Sequence, residues 1–314
     1  MRILATGASG MVGHALQNIC SPDYYDFVFV GSQDCDLRIR DKTSQMFKYI
    51  QPDHVLHLAA KVGGIKANTD FMGDFYYQNQ QINQNVLQAA KEAGVKKVIS
   101  LLSTCVYPDG PYITYPLTEK QLHLGPPHPS NYGYAYAKRM VDVMSRAYRE
   151  QYGCNFITAI PNNLYGENDN FDLEDSHVIP ALMRKIWEAK INNNPSVECW
   201  GDGSPLREFT YSEDIAKILI FLMDNYDEKD PINIGNTKEY SIKAVALMLC
   251  MHLEYDGEIV WNTDKPAGQF RKPSSNKKLL DLGWKKEWYT PFEEGLKKTC
   301  EWFIMNYPNV RGVK

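Results

Sequence analysis

The stretch Arg2-Ile-Leu-Ala-Thr6-Gly7-Ala-Ser-Gly10-Met11-Val12-Gly13 decides the fold. Its first five residues form a short, largely apolar run of the kind that makes a parallel strand buried on both faces. Three glycines at G-x-x-G-x-x-G spacing follow, and Ala15, Leu16 and Ile19 then recur at helical intervals. Strand, glycine turn and helix together predict a dinucleotide-binding opening. Glycine lets the backbone turn tightly and approach a ligand closely, while the helix N-terminus faces the pyrophosphate. Gly7, Gly10, Met11, Val12 and Gly13 are the first candidate cofactor contacts.

The alternation continues downstream. Strands are expected over 26–30, 54–58, 97–102 and 155–160, with long helices over 71–93 and 134–152 that stop at Gly94 and Gly153. This pattern predicts an α/β fold, a doubly wound parallel Rossmann sheet. After Pro161 the regular alternation breaks; 177–190 reads as a helix and the remainder mixes short strands and helices. The expected organisation is a cofactor domain over 1–165, with return segments from the C-terminal half, and a smaller α/β substrate lobe over 166–314.

Chemistry enters with Ser103, at the C-terminal end of the fourth strand, where doubly wound sheets bind ligands. Leu101, Leu102, Ser103 and Thr104 are expected to face the cofactor there. Tyr134 and Lys138 follow in Asn131-Tyr-Gly-Tyr-Ala-Tyr-Ala-Lys138. Four residues apart on a helix, they share a face, so the ammonium is expected to lower the phenol pKa from about 10. A phenol so placed donates a proton to a carbonyl oxygen as hydride arrives. Ser103 or Thr104 hydrogen-bonds that oxygen, and Lys138 also holds the nicotinamide ribose. The bland alternative is an aromatic face made by Tyr132, Tyr134 and Tyr136, but only Tyr134 has a lysine four residues on.

Beyond the second strand, an NAD site places an acid on the ribose hydroxyls. Here Gly31-Ser32-Gln33 stands first, Asp34 and Asp36 come later, and Arg38 and Arg40 are near enough to approach a 2′-phosphate. NADP is the expected cofactor, with solvated loop charges as the competing reading of the arginines.

Composition excludes several classes. The 314 residues are 44% hydrophobic and 23% charged with a net charge of −4, ordinary globular values that give no reason to expect nucleic-acid binding. No apolar run is long enough to span a bilayer, and no leader is visible. Seven cysteines without a C-x-x-C speak against a disulfide framework or a zinc site, so no metal and a reducing, cytoplasmic location are expected.

Several segments are more specific: Ala60-Lys-Val-Gly-Gly64, Ser103-Thr-Cys-Val-Tyr-Pro108, Pro161-Asn-Asn-Leu-Tyr-Gly166, Asp169-Asn-Phe171, Ser176-His-Val-Ile-Pro180, Trp200-Gly-Asp-Gly203 and Arg207-Glu-Phe209. With these the chain resembles the GDP-L-fucose synthase family of extended short-chain dehydrogenases/reductases. These are NADPH-dependent 3,5-epimerase/4-reductases acting on GDP-4-keto-6-deoxy-D-mannose. The resemblance spans nearly the whole chain. It implies Cys105 as the epimerising base and His177 as its acid. Without it, Cys105 reads as a small buried hydrophobe and His177 as a helix-start residue. The chemistry is apt, since a 4-keto group acidifies the C3 and C5 protons and a base–acid pair on opposite faces inverts each carbon.

The resemblance further implies that Pro161, Asn162, Asn163, Leu164 and His177 line the nicotinamide. Lys185 and Arg207 would neutralise the nucleotide diphosphate, and Trp200 would contact the sugar–nucleotide. Ala267 stands where the family usually places Asp, removing one carboxylate from nucleoside recognition, and Glu167 replaces a common proline.

Two rivals share parts of this pattern. A sugar-nucleotide 4-epimerase or 4,6-dehydratase has the same loop and Tyr–Lys pair, but a dehydratase wants a carboxylate where Cys105 stands. A non-catalytic dinucleotide sensor would have no use for Tyr134, Lys138 and Ser103. The family also implies a homodimer joined through the 71–93 and 134–152 helices, with Met140, Val141 and Met144 as candidate apolar contacts that serve a monomer core equally well.

Overall fold

A computed structural model describes residues 1–20, 25–264 and 269–313. The N-terminal half alternates β1 (Arg2–Thr6), α1 (Met11–Ile19), β2 (Asp26–Val30), α2 (Arg40–Ile50), β3 (His54–His57), α3 (Ile65–Asp70), α4 (Met72–Glu92), β4 (Lys97–Leu101), α5 (Tyr132–Tyr152) and β5 (Phe156–Pro161). Then come β6 (Asn163–Tyr165), α6 (Val178–Ile191), β7 (Ser196–Trp200), β8 (Leu206–Tyr211), α7 (Ser212–Asn225), β9 (Ile232–Ile234), β10 (Glu239–Ser241), α8 (Ile242–Leu253), β11 (Glu258–Asn262), α9 (Lys277–Asp281) and α10 (Phe292–Asn306).

The main sheet runs β2-β1-β3-β4-β5-β9 and is parallel throughout. Chain order reverses between β1 and β3, and that switch point opens a crevice beyond the strand C-termini. Strand alternation sends Ile3 and Ala5 to the face covered by α1 and α7, with Leu16, Ile215 and Leu219, while Leu4 packs on the other face with Phe47, Val86 and Val141. Both faces are dry, which is why these strands are apolar without alternation.

A second core gathers Phe171, Met183, Ile186, Phe209, Leu249 and Phe303 beneath a three-stranded sheet, β10-β8-β6, and the pair β11-β7. β6 leaves the end of β5 and pairs parallel with β8, so the second lobe hangs from the sheet edge beside the crevice. Packing decides between the two roles left open for the helix residues. Val141 is 1% exposed and Met144 packs against the main core, so these two residues belong to the monomer. The outward apolar groups of α4 and α5 are Met72, Tyr76, Tyr77, Tyr132, Val143 and Tyr152.

Candidate active site

The glycine turn is built as its spacing predicts. Gly7 has φ +76°, and a Cβ there would lie 2.7 Å from the backbone nitrogen of Ala59 at the exit of β3. A Cβ on Gly13 would lie 2.5 Å from the backbone of Ala8, so α1 closes directly onto the turn. Gly10 caps α1 without any side-chain hydrogen bond, which leaves the first N–H groups of the helix, from Met11, Val12 and Gly13, directed into the crevice for an anion. The residues present therefore fit a dinucleotide pyrophosphate. Gly13→Ala is expected to cost about 1–3 kcal/mol of stability through overpacking and to weaken NADPH binding; thermal unfolding and a fluorescence titration check both, and a wild-type affinity would show that the turn tolerates the shift.

At the ribose end, both acids of the loop are engaged internally. Asp34 accepts from the Gly31 N–H at 2.8 Å, and Asp36 holds Arg38 in a fork, with Nε at 2.9 Å and Nη2 at 2.8 Å. Asp36 lies below the usual carboxylate range because of that Arg38 hydrogen bond. Arg38 is thus oriented by Asp36 rather than solvated freely, and Arg40 lies 3.9 Å from Glu92.

Ser103 leaves β4 and caps a single turn, Thr104–Val106, accepting from the Cys105 N–H at 3.3 Å. Its own hydroxyl proton remains available to donate. Arg139 on α5 pins this turn: it is buried, and its Nε donates to the Val106 carbonyl at 3.0 Å while Nη1 donates to Gly125 at 2.8 Å. Lys138, 2% exposed, donates from Nζ to the Leu101 carbonyl at 2.7 Å. Burial lowers its pKa to about 8. Tyr134 is partly buried, edge-on to Phe75 with ring centroids 6.4 Å apart. Its phenol pKa is raised, first by burial and second by its electrostatic interaction with Cys105. The expectation that Lys138 lowers the phenol pKa is therefore corrected: desolvation outweighs the ammonium, which is directed at Leu101. A phenol with a raised pKa keeps its proton across the working pH range and serves as an acid only when negative charge develops on the acceptor.

Behind this pair, Thr6 Oγ1 hydrogen-bonds His57 Nδ1 at 2.9 Å, and His57 Nε2 meets Asn83 Oδ1 at 3.1 Å. Burial and the neighbouring Lys138 charge push the His57 pKa down to about 3, so the ring is neutral. Asn83 Nδ2 in turn donates to the Ala137 carbonyl at 3.4 Å. The residue before the glycine turn is thus tied to the residue before Lys138.

On the thiol side, Arg207 and Lys272 are the cations that feel Cys105. Burial lowers the pKa of each, and Cys105 opposes that shift in both. Lys272 carries no sign of this role in the sequence. Arg207 Nη1 donates to the Leu206 carbonyl at 2.7 Å and to Phe270 at 3.3 Å.

Of the nicotinamide-lining candidates, Pro161 ends β5 and is buried with Asn162. The side-chain amides of the two asparagines are engaged in the framework. Asn162 accepts from Thr210 Oγ1 at 2.7 Å and donates to the Asn236 carbonyl at 2.8 Å, while Asn163 donates to the Glu208 carbonyl at 2.8 Å.

His177 is exposed at the N-cap of α6. Asp169 and Asp175 both feel its positive form, which opposes the burial that raises their pKa values. The Val62-Gly63-Gly64 turn explains itself here: a Cβ on Gly63 would lie 2.1 Å from Asp175 Oδ1, and Gly64 N–H donates to the Asp175 carbonyl at 3.1 Å.

Farther out, Lys185 Nζ donates to the Glu198 carbonyl at 3.1 Å and lies 5.8 Å from the centre of the Trp200 ring. Both oxygens of Glu167 accept from Tyr211 Oη, at 2.7 and 2.8 Å. Ala267 lies outside the described residues.

A parallel doubly wound sheet, an open glycine-turn helix and a Ser–Tyr–Lys set at the strand C-termini define a nicotinamide-dependent oxidoreductase of the extended short-chain type. The model of the NAD dependent epimerase/dehydratase family matches residues 3–235. A GDP-L-fucose synthase of Dictyostelium discoideum is 44% identical over 98% of this chain and 97% of its own length. That of Sinorhizobium fredii is 41% identical, covering 97% of this chain and 96% of the relative. A crystal structure of a GDP-L-fucose synthetase from Naegleria fowleri bound to NADP superposes with a TM-score of 0.92 at 42% identity, over 99% of this chain and 96% of that one. The chain belongs to the NAD dependent epimerase/dehydratase family and, within it, to the GDP-L-fucose synthases.

Proposed function

We infer that the chain converts GDP-4-keto-6-deoxy-D-mannose to GDP-L-fucose, by 3,5-epimerisation and NADPH-dependent reduction at C4. The observation that carries this reading is the meeting, at one strand edge, of an acid (Tyr134) and a thiol (Cys105) faced by two half-buried cations, Arg207 and Lys272. A simple 4-epimerase needs the first and has no use for the second.

NADPH, when bound along the glycine turn, supplies the hydride. Arg38, held by Asp36, takes the 2′-phosphate side. Ser103 donates to the C4 carbonyl oxygen, and Tyr134 delivers the proton to that oxygen as charge develops there. Cys105 removes the C3 and C5 protons in turn, and His177 delivers a solvent-derived proton to the opposite face each time. Arg207, Lys272 and Lys185 neutralise the diphosphate, and Trp200, 49% exposed, offers a ring to the sugar–nucleotide. Consumption of NADPH with this substrate, and its absence with GDP-mannose, tests the assignment; turnover of the latter would favour a different reaction class.

Lys138 makes the reduction pH-dependent. With its pKa near 8, the ammonium that holds the ribose is lost as pH rises through that value. The kcat/KM for NADPH is therefore expected to fall above about pH 8. Stability moves the other way: the unfolded lysine, with a pKa near 10.4, binds more protons than the folded one, so this group's contribution rises with pH between about 8 and 10.4. A rate profile flat to pH 10 would remove Lys138 from cofactor binding.

A homodimer through α4 and α5 is part of the proposal. Its support is the outward row of Tyr76, Tyr77, Tyr132 and Val143 on two helices packed together. Sedimentation at micromolar concentration is expected to give a dimer, and a monomer would refute it. Seven unpaired cysteines and the absence, among the described residues, of a helix long and apolar enough to cross a membrane support a cytoplasmic setting.

A further inference from the structure

Glu208 is a carboxylate buried, among the described residues, without a direct salt bridge. It sits on β8 next to Arg207 and is 3% exposed. Its Oε1 accepts from the Ser274 N–H at 2.9 Å, and its Oε2 accepts from Ser274 Oγ at 2.6 Å and Asn162 Nδ2 at 3.4 Å. Among the described residues, no direct salt bridge reaches it, although Arg271 feels its charge, and burial raises its pKa against those hydrogen bonds. Burying a charge without a partner is costly, so a carboxylate retained here calls for a reason beyond packing.

The reason lies in what Ser274 belongs to. Residues 269–276 form a strap over the thiol side of the site. Leu206 N–H donates to the Phe270 carbonyl at 2.9 Å, Leu117 N–H donates to Pro273 at 2.8 Å, and Ser275 N–H donates to Leu117 at 2.9 Å. Gln269 Nε2 reaches Asp109 Oδ1 at 3.0 Å, and Arg271 pairs with Glu239. Lys272 is carried in the middle of this strap, two residues before Ser274, and Arg207 also holds the strap at the Phe270 carbonyl. Neighbouring strand residues point to opposite faces, so Glu208 secures the strap from the side away from Arg207.

We propose that Glu208 is a positioning residue: it latches the 269–276 strap to β8 and thereby sets Arg207 and Lys272 against Cys105, governing affinity for the anionic part of the substrate without touching it. This rests on the reading of Arg207 and Lys272 as the diphosphate cations.

Glu208→Gln keeps the size of the side chain but turns one acceptor into a donor facing Asn162 Nδ2. It also removes the charge that strengthens the Ser274 bonds. The expected result is a KM for GDP-4-keto-6-deoxy-D-mannose raised about tenfold with kcat within about threefold, the signature of lost ground-state binding. Calorimetry with GDP alone should weaken by a similar factor, while the NADPH Kd stays at the wild-type value. Ser274→Ala should shift GDP affinity in the same direction by less, and the double variant should be no worse than Glu208→Gln. Wild-type GDP affinity in Glu208→Gln, or an equal loss of NADPH affinity, overturns the latch. Should Glu208→Gln not fold, Ser274→Ala decides, and unchanged GDP affinity in it overturns the proposal. If the wild type binds GDP but does not turn over the keto sugar, the functional reading fails while the GDP measurements still judge the latch.

Discussion

Tyr134→Phe is expected to lower reduction by at least about 10²-fold, the scale of general acid catalysis, while leaving proton exchange at C3 and C5 partly intact. The variant loses only the phenolic proton. Phe preserves the edge-on contact with Phe75, and the ring is not a hydrogen-bond partner of Lys138, which donates to Leu101. Cys105 and His177 are untouched, so substrate incubated with the variant in D₂O should still take up deuterium. A folded, substrate-binding variant that shows no exchange would mean that the two chemistries share Tyr134 and are not separable.

Cys105→Ser should produce the opposite division. A serine hydroxyl is too weak a base at neutral pH, whereas a thiolate is a usable one. Arg207 and Lys272 are each stabilised in their charged form by Cys105. The predicted outcome is loss of C3/C5 exchange and of GDP-L-fucose, with residual NADPH oxidation giving the unepimerised 6-deoxy-D-manno product. Formation of GDP-L-fucose at the wild-type rate would make Cys105 structural.

What was legible in the sequence is what depends on local backbone. The glycine turn could be read because Gly7 must adopt positive φ and Gly13 must lack a Cβ, constraints carried by a few consecutive residues. The Tyr134–Lys138 spacing is a helical constraint of the same kind. Other parts depend on burial, which comes from distant chain. Lys272 and Glu208 become a site only when the strap folds back on β8 across more than sixty positions, and nothing in Arg271-Lys272-Pro273 signals that. The phenol pKa is illegible for the same reason, since spacing shows the charge nearby but not the desolvation that outweighs it. Arg139, adjacent to Lys138 in sequence, gives no sign of its role because its bonds to Val106 and Gly125 come from a turn that spacing does not reveal. The helix contacts went the same way: Val141 and Met144 are apolar on an amphipathic helix, and only the packed core tells inward from outward.

The central claim is that one site epimerises through Cys105 and His177 and reduces through Tyr134. Turnover of GDP-4-keto-6-deoxy-D-mannose by the wild-type protein with unlabelled NADPH in D₂O, followed by NMR of the sugar product, tests it most directly. The predicted product is GDP-L-fucose carrying deuterium at C3 and C5, from solvent, and protium at C4, from the cofactor. A product with protium retained at C3 and C5, or a 6-deoxy-D-manno sugar reduced only at C4, would contradict it.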